Sequence, residues 1–157
     1  MAFRLAILLF LCFTVTFAQN QSGEALQEIV VPYATVDIPP VYPGCDWANT
    51  QKSKACTSKE IQYFFEKNFD LQKIKTMGLK PGRYRTSMVF KINTEGKITD
   101  IKANNLQKVK EIEEEAVRVA QLLPEMKPGN RKGEIVSVHY GLPIVFDIEP
   151  NSRNRKN

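Results

Sequence analysis

Histidine is almost missing from this 157-residue chain, which has only His139. Cysteine is scarce as well, at three residues, and no two of them form a Cys-x-x-Cys pair. A zinc site draws on about four suitably spaced ligands, so no metal centre is expected. A redox-active thiol pair lacks its usual spacing too. The sequence contains no nucleophile elbow, glycine-rich phosphate loop or His-Glu metal helix, which removes the common signatures of hydrolases, nucleotide-binding enzymes and metalloproteases. The expectation is a protein that is not an enzyme, needs no cofactor and acts by binding.

Charge of one sign is not concentrated in the body of the chain. The formal net charge is +5, from 22 basic and 17 acidic residues. Setting aside Arg4 and the tail cations Arg153, Arg155 and Lys156 leaves 18 basic residues against 17 acidic, a balance of +1. No aromatic residues interleave with the tail cations, so there is no stacking platform and nucleic acid is not an expected partner.

Long hydrophobic runs are absent after the first segment, "MAFRLAILLFLCFTVTFAQN". Arg4, the apolar run from Leu5 to Val15 and the small residue Ala18 have the three-part layout of a secretory signal. The run falls short of the roughly 20 residues that span a bilayer core. Leu11 is too bulky, just before Cys12, for a lipoprotein signal. The expected organisation is a signal peptide at 1–18, a polar linker at 19–38, a domain at 39–149 and a basic flexible tail at 150–157. That implies export, or a membrane anchor if the signal is retained.

Export leaves Cys45 and Cys56 in an oxidising compartment, where a disulfide is the expected state. Closing so short a loop contributes roughly 3 kcal/mol on the chain-entropy view. After the cysteines, Thr57 and Glu60 have capping-box spacing, with Cys56 and Ile61 placed as a hydrophobic staple. Ile61, Phe64, Phe65 and Phe69 then follow helical spacing. A short second helix is expected to run to Met77, with Gly78 as its cap and Pro81 beyond.

From Arg83 the period becomes two, with Tyr84, Thr86, Met88, Phe90 and Ile92 on one face. "NTEGK" makes a hairpin turn around Gly96, and "KITDIKA" returns as a second strand. "VKEIEEEAVRVAQLL" is helical, with its acidic run read as a solvated face and Glu114 placed to meet Arg118. In the last strand, Val136, Val138, Tyr140, Leu142, Ile144, Phe146 and Ile148 share one face, and His139 falls on the other. Pro143 removes a ladder donor, which places this strand at a sheet edge. The fold class is α+β, a three-stranded antiparallel sheet with two helices packed on one face. Its exposed edge invites another strand.

"PPVYPGC" (39–45), "FKINTEGKITDIKA" (90–103) and "EEEAVRVAQLLPEMKPGNRKGEIVSVHYGLPIVF" (113–146) together resemble the C-terminal domain of TonB-type energy transducers, in the exported form. The resemblance spans nearly all of 39–148. It implies a periplasmic domain that captures a peptide segment of an outer-membrane TonB-dependent receptor as an added strand. The capturing element would be 134–142, with Ile135, Val136, Ser137, Val138, His139 and Tyr140 as partner-binding residues. Ser137 and His139 would lie beside the peptide on the open face. An inner-membrane transducer complex is the further partner implied, with an inner-membrane anchor if the signal is retained. The alternative is an envelope structural or interaction module that pairs with itself, as a homodimer, or with another protein through the same edge. Two features differ from complete transducers. A cleavable signal and some twenty polar residues replace the membrane helix and proline-rich spacer, and Asp70 and Leu71 stand where the family often has Tyr-Pro.

Overall fold

A computed structural model describes residues 28–46 and 48–150. The expected signal peptide, the linker as far as residue 27, and tail residues 151–157 lie outside the described residues. The elements in chain order are β1 (Val30–Pro32), α1 (Thr50–Asn68), α2 (Leu71–Thr76), β2 (Gly82–Ile92), β3 (Ile98–Asn105), α3 (Lys110–Gln121), β4 (Gly129–Arg131) and β5 (Glu134–Ile148).

The period-two segments form the sheet. β2 pairs antiparallel with β3 and, along its full length, with β5, from Gly82↔Ile148 to Ile92↔Val138. Tyr84, Met88, Phe90, Tyr140 and Leu142 are buried on one face, while Arg83, Arg85, Val89, His139 and Val145 are exposed on the other. The helices cover the buried face. Ile61 and Phe65 of α1 meet Ala116 and Val119 of α3 over Met88 and Phe90, and Ile74 of α2 packs with Tyr84 and Ile148.

The fold is α+β, but among the described residues the sheet has five strands and is mixed, and three helices accompany it. This corrects the expected three-stranded antiparallel sheet with two helices. The order is β1-β5-β2-β3, with β4 paired to β5 off that path. β1 runs parallel to β5, Val30↔Ser137 to Pro32↔His139. Its three residues are too few to show a period, and its partner lies about a hundred positions away. β4 comes from the loop "KPGNRKG" and forms a hairpin with β5. Lys132 (φ 53°) and Gly133 (φ 87°) make its two-residue turn, as the right-handed strand twist favours. The stretch expected as linker therefore belongs to the domain from residue 28 onward: Val31 and Val36 are buried against Val136 and Val138, and Ile38 bridges Asn130.

α1 starts seven residues before the expected capping box. Asn49 is the cap, its side chain accepting from Lys52 N. The buried stripe is Ser53, Thr57, Ile61 and Phe65, at steady four-residue spacing. Its first half is hydroxyl rather than hydrocarbon, which hides it from a hydropathy reading. Thr57 does not cap; its Oγ1 accepts the N–H of Tyr42 at 3.1 Å. Cys56 lies inside the helix and is bridged to Cys45, with Cα atoms 5.9 Å apart, so the disulfide and the Tyr42 bond tether the entry segment to α1. α2 follows from an Asp70 cap and ends before Gly78 (φ 72°).

The hairpin glycine is placed as expected, and the structure adds a second demand on it. Gly96 has φ 85°, its carbonyl accepts from Met126 N at 3.0 Å, and a Cβ there would stand 1.7 Å from Met126 O. At the other end of the hairpin, buried Asn105 joins β2, β3 and α3. Its amide donates to Thr86 Oγ1 (3.0 Å) and Arg85 O (3.2 Å), and its own N–H is taken by Glu113 Oε1 at 2.7 Å. Beyond the end of β3, the Gln107 side chain takes the place of a strand, accepting from Arg85 N and donating to Arg83 O.

Candidate functional site: the outer edge of β5

The residues expected to capture a partner are spread over three environments. Ile135 is 59% exposed on the β4–β5 hairpin, whereas Val136 and Val138 are buried core residues. Tyr140 is also buried, stacked on Phe90 with ring centroids 5.2 Å apart and edge-on to Tyr33 at 4.7 Å. Ser137 is fully buried even though it projects from the solvent side of the sheet, because β1 and Glu28 cover it. His139 remains exposed there.

The expected free edge along 134–142 is occupied as far as His139. β4 pairs with 134–136, and Val138 and His139 have β2 on one side and β1 on the other. Covering this stretch satisfies backbone groups and buries Val31 and Val36 in the same step.

The same strand has an open edge further along. Ser137 N donates to Ile29 O (3.0 Å) and His139 O accepts from Tyr33 N (2.9 Å), so the odd-numbered residues turn their backbone groups away from β2. The register with β2 is unbroken from Val138 to Ile148. Gly141, Val145 and Asp147 therefore direct N–H groups outward, and their carbonyls, with that of Pro143, point the same way. Among the described residues no strand pairs with 141–147 on that side. β5 as a whole lies inside the order β1-β5-β2-β3 rather than at the sheet edge expected from Pro143, but β1 stops short of Pro143, and the donor that this proline lacks would have faced the open side.

Beside this open stretch lies a groove of about 420 Å³, between Gln62, Phe65, Glu66 and Phe69 of α1, Leu71 of α2, and residues 142–146 of β5. Phe69 and Phe146 pack at 5.7 Å on its wall, and Val145 is 53% exposed on the opposite face of the sheet. The Arg83 guanidinium grips Asp147 through two bonds of 3.0 Å. That pairing holds the Asp147 carboxyl below the usual range and pins the end of β5. The site thus offers main-chain donors and acceptors in a row, with an apolar trough for alternate side chains of an added strand.

Charged side chains gather where β1 meets the sheet. Lys91 Nζ contacts Glu28 Oε2 at 2.6 Å and Asp100 Oδ2 at 2.9 Å, and the Ser137 hydroxyl bonds the other Glu28 oxygen. The Lys91 hydrogen bond, followed by that of Ser137, lowers the Glu28 pKa, and Glu28 and Asp100 raise that of Lys91. Among the described residues no group of three or more His, Cys, Asp or Glu could hold a metal ion, and no helix is long and apolar enough to cross a membrane.

No protein-family model matches this chain, and no curated protein matches it.

Proposed function

We propose that this chain is a periplasmic TonB-like module that binds extended peptide segments of outer-membrane TonB-dependent receptors by strand addition, acting beside an inner-membrane transducer complex in energy-coupled transport. The observation that carries the reading is the unpaired row of backbone groups along 141–147 next to the apolar groove under α1. Strand addition draws affinity from main-chain hydrogen bonds and selectivity from pockets for alternate side chains, and needs no catalytic group. The motifs at 39–45, 90–103 and 113–146 supply the choice of partner. The docking segment is moved from 134–142 to 141–147, because β1 and β4 already occupy the earlier stretch.

The test is a proline at Val145, whose N–H faces the open side. Incubated with an envelope extract, the native exported domain should recover outer-membrane receptors and Val145→Pro should recover none, while its circular dichroism and melting curve stay close to native. Equal recovery by Val145→Pro would refute docking at this edge. Recovery of the chain alone, with self-association that the same substitution abolishes, would favour pairing with a second copy.

A further inference from the structure

The outer edge of β5 is one continuous line from Ser137 to Asp147, and the molecule fills its first part with its own N-terminal strand. We infer that β1 is an intramolecular stand-in for the docked peptide, a strap exchanged for an incoming strand that carries a carboxylate residue three positions before an inward-facing apolar residue. This rests on the strand-addition reading and extends it to the adjoining stretch 137–139 of the same edge.

Three features carry it. First, β1 is bound in the way an added strand would be, by main-chain bonds such as Ser137 N to Ile29 O and Tyr33 N to His139 O, in a ladder of three residues. Second, its side chains define two subsites. Val31, aligned with Val138, is 1% exposed on the core side. Glu28 lies on the opposite face, where the Lys91 ammonium and the Ser137 hydroxyl each hold one carboxylate oxygen. Asp100 balances Lys91 from the far side, so the subsite suits one carboxylate and disfavours a second. Third, Val31, Val36, Val136 and Val138 form a cluster separate from the two beneath the helices, so the strap can open as a local unit while the main core stays closed. Tyr33, bonded through its hydroxyl to Lys54 O, marks the hinge.

An occupied edge lowers the apparent affinity for any competing strand by the fraction of time the strap is open. The strap's own sequence is the probe that does not depend on knowing the receptor. A labelled peptide QEIVVPY, residues 27–33, is titrated by fluorescence anisotropy into the full exported chain, its Glu28→Gln variant, and its Val31→Asp variant. Removing one charge-assisted latch should tighten peptide binding about tenfold over the native chain in Glu28→Gln. Val31→Asp should show a similar or larger gain, and adding Lys91→Gln to either variant should remove it. Equal binding to the native chain and both variants, or binding to none, overturns the inference. A peptide from a receptor recovered by the native domain serves as the control. If it binds all three proteins alike while QEIVVPY does not exchange, docking at 141–147 stands and the strap does not. If QEIVVPY exchanges and no receptor segment binds, the strap stands and the receptor reading falls.

Discussion

Glu115 shows how one residue in a charged run can take a structural role. It stands among four glutamates near the start of α3, yet it is 5% exposed while Glu111 and Glu114 face solvent. Its carboxylate accepts from Asp70 N at 2.9 Å, which supports the junction of α1 and α2, and from Arg118 at 2.6 and 2.9 Å. The expected Glu114–Arg118 pair is replaced by Glu115–Arg118, and Glu114 instead meets Lys110. The Arg118 hydrogen bonds are the largest influence holding the Glu115 pKa below its ordinary value. A carboxyl whose native pKa is depressed stabilises the fold above its unfolded pKa, and that stability is lost as pH falls through the native one. Glu115→Gln should therefore cost about 1 to 2 kcal/mol at neutral pH. The gap between variant and native chain, measured by urea unfolding, should narrow as the pH is taken to about 2. A gap that is unchanged with pH would place the effect in packing instead.

At the scale of elements, β5 and α1 make contrasting cases. β5 was legible because Val136 through Ile148 alternate cleanly, and burial follows that alternation except at Ser137, which β1 and Glu28 cover. Its two edges are not equivalent. Even-numbered residues bond to β2 and odd ones face outward, so neighbouring prolines should have opposite consequences. Ile144→Pro removes a bond to β2 and should cost about 3 kcal/mol or more, seen as a large drop in melting temperature. Val145→Pro, one position on, should leave melting nearly unchanged. α1 was legible only in its second half, where phenylalanines carry the stripe. The disulfide belongs to this scale too, since it joins the proline-rich entry segment to the second turn of α1. Replacing both Cys45 and Cys56 with serine should cost roughly 3 kcal/mol of unfolding free energy, and the exported native chain, unfolded without reductant, should show no free thiol.

For the whole molecule, the boundary of the domain is the point at which sequence and structure part. Composition places it at Pro39, after a polar stretch, whereas Val31 and Val36 are buried at 1% and 5% exposure. A chain beginning at Pro39 should be less stable than one beginning at Gln19 by about 3 to 6 kcal/mol, the burial of two aliphatic side chains. Equal urea midpoints would return β1 to the status of a linker. What the amino-acid sequence determined by itself was part of what near neighbours govern, though not the Asn49 cap or the β4–β5 hairpin: the period-two strands, the second half of the helix containing Phe65, and the turn at Gly96. These follow from local sterics and from the side chains that one face of a single element presents. Only the tertiary structure decided the partner of each edge. A backbone donor carries no side-chain signature, and the three-residue strand that covers 137–139 is chosen by contacts across about a hundred positions of chain. That distant pairing covers 137–139 and leaves 141–147 without a partner strand on its outer side among the described residues.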